Sequence, residues 1–510
     1  MCTAGCSADF AISSAESGAA APQDASGTAS TGSGTGTGGG GPEVEDDFLA
    51  LPPAQTDAFV FVANPARDTV TRITVDSLDV ITTDVGRDPQ IALTTEDFQR
   101  AVVFNRGDAS ISVLQTNSLA QTVVPVRDNL NQMRLSPSGT YAVLWHDIAA
   151  QMADDPEPEG LQSFNEASFV DLDTGEHFPM AVGFNPKQVV FTPDETLAAV
   201  VSDGTLAVVD LTTRPLLPEL IALSDDLVPP IAEEIELSPS GDWAFVRQFG
   251  TDEILIVDLV HRTVDAIPVG ANPTDMDLTP DGSQAVVMAR GSSELWVLDS
   301  TNPYAAPQVI PVPPTLSAGA IRIASDGGHA LLYTTASLVD RLGVWDLATG
   351  AIDEFGLVKP IGAVGIVNNG DSAVVFHTQL DMPDADASDP FFGQWAMTAI
   401  DLRDGRETPL LLPSQPLGYS LSDSSKLAYF TMKGEQYLEV IDFDSLLPEQ
   451  LPLRSDPVFL GVLPDLDPDD GTEPSAWVSQ DYELGRISFY DPNSDALETI
   501  TGFELNSEVE

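Results

Sequence analysis

The residues best suited to chemistry are carboxylates and bases in loops. Asp465, Asp467 and Asp469 occupy alternate positions, and Gly471 follows them. Hard oxygen ligands at that spacing can wrap one Ca²⁺. The stretch departs from the usual calcium loop, with Asp470 where a Gly belongs and Ala476 where a bidentate Glu would close the site. A solvated acidic loop is the plainer reading, and it also covers "ADDPEPEG" (153–160) and "DMPDADASDP" (381–390). Arg87, Arg127, Lys187, Lys359 and Arg454 fall in equivalent slots, each ahead of a short apolar segment. Positive charge at the mouth of a low-dielectric channel would concentrate an anionic small molecule or glycan. Asp88, Asp128 and Asp456 lie beside three of these bases, so local neutralisation is the competing reading. "RGD" at 106–108 reads as a turn, because Gly and Asp both suit tight turns. No Gly-rich phosphate loop, nucleophile elbow or histidine cluster accompanies these groups, and no catalytic residue is assigned.

The 510 residues carry 79 acids against 21 bases, a net charge of −58. That balance excludes nucleic acid as a partner, since phosphate binding needs a basic face. It also repels anionic lipid heads, so membrane contact is expected only through an anchor. Both cysteines, Cys2 and Cys6, lie at the extreme N-terminus, which leaves the rest without a disulfide, a thiolate metal site or a cysteine nucleophile. No apolar run reaches the roughly 18 residues a membrane helix needs.

Residues 1–47 are Gly/Ser/Thr-rich and then acidic, as in "SGTASTGSGTGTGGGGPEVEDD". Such a stretch cannot bury apolar surface and reads as a disordered tether ahead of a folded domain at 48–510. Ala4-Gly5-Cys6 resembles the end of a bacterial lipobox, with Cys2 as the alternative lipidation site. Thr3 stands where Leu is usual, and the basic and apolar regions of a signal peptide are missing, so the start reads as truncated. The resemblance implies a lipoprotein anchored to the outer membrane, at the cell surface or in the periplasm.

The elements that must position the candidate groups come from a repeat. Short apolar segments end in Asp at positions 76, 171, 210, 258, 299, 346, 401, 442 and 491, and "SISVLQTN" repeats the pattern with Gln115 in the Asp slot. The mean spacing is about 46 residues, a blade-sized period. Between these segments recur a polar turn and an apolar strand, as in "SPSGDWAFV" and "TPDGSQAVVM". Pro and Gly there fit tight turns. Two more short strands flank a Gly-x-x-Pro element, as in "VGRDP" and "VGANP". Each unit thus holds four strands. The terminal Asp of "DLDTG", "DLATG" and "DLRDG" opens a turn that the later Gly closes, a structural role.

"VGANPTDMDLTPDGSQAVVMARGSSELWVLDSTN" (269–302) resembles the YVTN repeat, the bacterial relative of WD-repeat propellers, and "AFVFVANPARDTVTRITVDSLDVITTDVGRDPQIAL" (58–93) is similar. The resemblance implies an all-β β-propeller of four-stranded blades, and it implies no activity. About ten repeats are present, so seven to ten blades are expected in one ring, with two smaller rings as the alternative. The chain's end, "ALETITGFEL", is expected to supply the last strand. The expected function is binding or scaffolding of a protein or an anionic ligand, by a monomer, with no cofactor or with Ca²⁺. The alternative is a propeller enzyme, such as a lactonase-like metal-dependent hydrolase, with its site at the central channel.

Overall fold

The computed structural model describes residues 54–148, 164–224, 232–248, 250–466 and 471–503. Cys2, Cys6, Asp467, Asp469 and the acidic insertion at 153–160 lie outside the described residues.

Ten sheets follow one another along the chain, each of four antiparallel strands in simple sequence order. They span 54–84, 89–125, 132–181, 184–222, 232–268, 273–311, 320–356, 361–412, 416–452 and 457–501, and are numbered here as blades 1 to 10. The last strand of blade 10 is Ala496–Thr501, the expected closing segment. The first strands of neighbouring blades touch each other, which places them innermost around the axis.

The second and third strands are mostly apolar because both faces of every sheet are covered. In Leu197–Asp203, Val200 and Ala198 pack toward blade 3, whereas Val201 and Ala199 pack toward blade 5. A strand buried on both faces reads as a continuous apolar run. The buried residues fall into ten clusters, and each cluster joins two consecutive blades. One of these joins blade 10 to blade 1, with Trp477, Ile487, Phe489 and Phe503 against Val60, Ile73 and Val75. The ring is therefore closed and single, and side-chain packing closes it, since every blade takes its four strands from one continuous segment. Ten blades exceed the usual four to eight.

The repeated Asp opens its turn as expected. Asp171 Oδ1 accepts from the backbone N–H of Asp173 and Thr174, Asp299 Oδ1 from Thr301 and Asn302, and Asp442 Oδ1 from Ser445. A buried polar ladder recurs at the far end of the second strand. Asn64 donates to Thr71, Asn105 to Ser112 and Gln480 to Ser488, while His377 shares a 2.8 Å bond with Thr398. Each pairs an amide or imidazole with a hydroxyl on the third strand, so one polar atom of each side chain is satisfied within the core, while Asn64 Oδ1 and Asn105 Oδ1 have no hydrogen-bond partner among the described residues.

Candidate functional site

Antiparallel order puts the second-to-third-strand turns and the blade-to-blade connections at one end of the ring, called here the upper end. The Gly-x-x-Pro connections dock on those turns. Arg106 N–H donates to Asp88 O at 3.0 Å, and Gly291 N–H to Ala271 O at 2.8 Å. The residue before each Pro is left-handed, with φ of 51° at Asp88, 54° at Asn185 and 52° at Asn272, a conformation Asn and Asp tolerate. The glycine is there for closeness. A Cβ on Gly86 would come within 2.7 Å of Asn105, and one on Gly270 within 2.8 Å of Ala289. Pro then opens the innermost strand, where its missing N–H is tolerated, and a bulge follows in blades 2, 6, 9 and 10.

The five sequence-selected bases lie on this end, each in or beside the lead into a blade. Four are paired with acids of their own blade. Arg87 Nε meets Asp108 at 2.5 Å, Arg127 meets Glu166 at 3.1 Å and Lys187 meets Asp203 at 3.3 Å. Arg454 donates its backbone N–H to Gln480 Oε1, at 2.9 Å. Lys359 is 2% exposed, and its ammonium donates to Asp381 Oδ1, Gln379 O and Phe391 O at 2.5, 3.0 and 3.1 Å. An ammonium has three donors, so none remains for a ligand, and Lys359 serves as an anchor of the 378–394 connection. The structure therefore spreads the five bases around the ring, one per blade, and does not gather them into one cluster.

Asp465 lies on the opposite, lower end. Its backbone N–H donates to Asp423 Oδ2 at 3.1 Å, and its charge helps raise the Lys426 pKa, behind the closer Glu473. Among the described residues no group of three or more His, Cys, Asp or Glu side chains is arranged to hold a metal ion.

An arc on the innermost strands was not singled out from the sequence. Blades 5 and 6 place Glu234, Glu236, Asp275 and Asp277 at matching positions, with Arg134 of blade 3 and Arg322 of blade 7 at the same level on either side. Arg247 bonds Glu234 at 2.8 Å and Glu233 at 2.7 Å. Asp275 accepts from the backbone N–H of Met276 at 2.8 Å and from that of Ile321 in the next blade. Gln188 makes the same kind of bridge to Ile235, at 3.0 Å. Asp275 and Gln188 thus tie one inner strand to the next, whereas Arg247 pairs within blade 5. Asp277 differs from them: desolvation holds its carboxyl well above the usual carboxylate range, Asp275, Glu234 and Glu236 push the same way, and Arg322 opposes them. The signal was present as alternation in "EEIEL" and "TDMDL", but only the ring aligns the two strands.

The fold defines the class: the chain is a β-propeller. No protein-family model matches it, and no curated protein sequence does. Among solved structures, it is similar to a eukaryotic initiation factor at 13% identity and a TM-score of 0.53, over 88% of this chain and 97% of that one. The dihydro-heme d1 dehydrogenase NirN matches 70% of this chain and 74% of its own, at 16% identity and a TM-score of 0.45. AztD of Citrobacter koseri matches 61% and 87%, at 14% identity and a TM-score of 0.39. At these identities the likeness is one of fold alone. No helix among the described residues is long and apolar enough to cross a membrane.

Proposed function

We propose that this protein is an extracytoplasmic binding propeller that engages its partner with the upper end of the ring. One observation carries the reading. That end exposes large apolar side chains, Phe184 on blade 4, Val358, Leu380 and Phe392 at blade 8, and Tyr482 on blade 10, alongside the charged Arg87 and Arg127. Exposed apolar groups with charged neighbours mark a recognition surface. Lipid on Cys6, or on Cys2, would tether the ring at the bacterial outer membrane, and a lipid-analogue label that reaches neither cysteine refutes that part. Calcium at Asp465, Asp467 and Asp469 remains part of this reading; Asp467→Ala should remove a Ca²⁺-induced rise in melting temperature, and a wild type indifferent to Ca²⁺ rejects it.

Photo-crosslinking residues at Phe184 and Tyr482 test the main reading against Val260 and Tyr304 on the lower end. A single adduct that forms only from the upper positions, and that unlabelled protein competes away, supports it. Equal labelling from both ends overturns it.

A second reading is favoured by Asp277, whose raised carboxyl beside three other acids suits a general acid in a channel enzyme. Ester or lactone hydrolysis that disappears in Asp277→Asn would establish it, and hydrolysis unchanged in that variant would dismiss it.

A further inference from the structure

The 378–394 connection of blade 8 is held by one buried charge. Lys359 Nζ binds Asp381 Oδ1, Gln379 O and Phe391 O, and Asp381 Oδ2 accepts from Gly393 N–H at 2.8 Å. The two limbs of the connection are thereby pinned at one node. Three exposed apolar side chains surround it: Val358 at 38%, Leu380 at 63% and Phe392 at 40% exposure. Val358 adjoins Lys359, Leu380 lies between Gln379 and Asp381, and Phe392 follows Phe391. Each is therefore within one residue of a group on a single nitrogen atom. Leu338 of blade 7, 39% exposed, lies on the same end of the ring, two residues before Asp340, whose carbonyl accepts from Leu357 N–H at 2.8 Å.

A buried ammonium is costly to place and costly to leave unpaired. Here it fixes a patch of apolar groups that water would otherwise disfavour. The exposed carboxylates Asp384, Asp386 and Asp389 lie on the same connection, between Leu380 and Phe392 in the chain. Asp386 is kept ionised by hydrogen bonds from the backbone and side chain of Ser388.

We propose that Leu338, Val358, Leu380 and Phe392 form a preorganised docking platform for a protein segment that carries an apolar anchor flanked by basic residues. Those carboxylates select positive flanks and reject an anionic lipid surface. Rigid apolar anchors at the centre of a patch carry most of an interface's energy, and preorganisation lowers the cost of binding. The proposal rests on the binding reading above and names its partner class.

The probe is a fluorescein-labelled amphipathic peptide of leucine and lysine, read by fluorescence anisotropy on the full chain, with a leucine–glutamate peptide as control. Leu380→Ser and Phe392→Ser are each expected to weaken binding roughly ten-fold, while Leu447→Ser on an outer strand of blade 9 leaves it unchanged. Lys359→Met, which keeps every apolar group but frees the two limbs, should also weaken it. Reversal of Asp384, Asp386 and Asp389 to Lys should transfer preference to the glutamate peptide. No saturable binding, or equal binding by all variants, overturns the proposal. Binding to phosphatidylglycerol vesicles that these same variants lose would assign the patch to a membrane instead. Its failure leaves the broader reading intact wherever adducts still form at Phe184 or Tyr482.

Discussion

The indole N–H of Trp477 in blade 10 donates to the side-chain oxygen of Gln55 in blade 1 at 2.6 Å, joining residues 422 positions apart. Gln55 in turn donates to the carbonyl of Val462. Trp477 is also among the largest fully buried side chains, so it seals the seam by packing and by a hydrogen bond together.

Trp477→Ala should therefore cost about 3–5 kcal/mol, the usual range for emptying a large aromatic site. Gly461 faces the same ring: a Cβ there would sit 2.3 Å from Trp477 Cζ2. Gly461→Ala should cost about 1–3 kcal/mol through overpacking. Thermal melting checks both. A Gly461→Ala protein that melts like the wild type would show that the seam has slack.

His377 supplies a pH dependence. It is 1% exposed, and burial lowers its pKa from 6.5 to about 4. Between those values the unfolded chain holds a proton that the folded ring refuses, so stability falls as pH drops from about 6.5 to about 4. The full loss is about 3 kcal/mol. Asp381 and Asp401, whose carboxyls are lowered, lose their contribution only below the ordinary carboxylate range. His377→Gln should flatten the decline above pH 4, because Gln480 fills the matching slot of blade 10 and keeps the bond to a hydroxyl. Chemical denaturation across that window would reveal an unflattened decline if the assignment is wrong.

Asp277 has the opposite sign. Its raised carboxyl keeps its proton in the folded ring at a pH where the unfolded chain has lost it. That favours folding at low pH, and the advantage fades as pH rises through the folded value. Asp277→Asn should raise the melting temperature more at pH 8 than at pH 4. An equal rise at both would mean that the carboxyl is not perturbed.

Glycines divide into two groups. Gly270 has φ of 89° and a Cβ there would meet Ala289, Ser292 and Trp296, whereas Gly350 has φ of 74° and open space around it. Gly350→Ala should cost about 1 kcal/mol of backbone strain, and Gly270→Ala clearly more, since collision adds to strain. Similar melting temperatures for the two variants would contradict the close-approach account.

The blades were legible because an Asp-closed turn and an apolar strand recur at a fixed period, and Asp171, Asp299 and Asp442 do open those turns. Blade number was narrowed but not settled, because closure depends on Trp477 meeting Gln55 across the whole chain. Arg87 and Lys187 were found from their slot, yet their partners Asp108 and Asp203 lie on turns that only the docked loops bring near. The inner carboxylates are not legible in the sequence, because Glu236 and Asp277 become neighbours only when two blades stand side by side. The 381–390 stretch read as a solvated acidic loop, and nothing local shows that Lys359 reaches into it.

One measurement bears most directly on the closed ten-bladed ring. Cysteines replacing Gln55 and Val462, in a chain with Cys2→Ser and Cys6→Ser, are treated with a short bismaleimide at low protein concentration. The ring requires rapid intramolecular cross-linking, seen as a mobility shift of the denatured monomer that needs both cysteines. A monomer that stays unlinked while each cysteine alone reacts with a monofunctional maleimide would show that blades 10 and 1 do not meet.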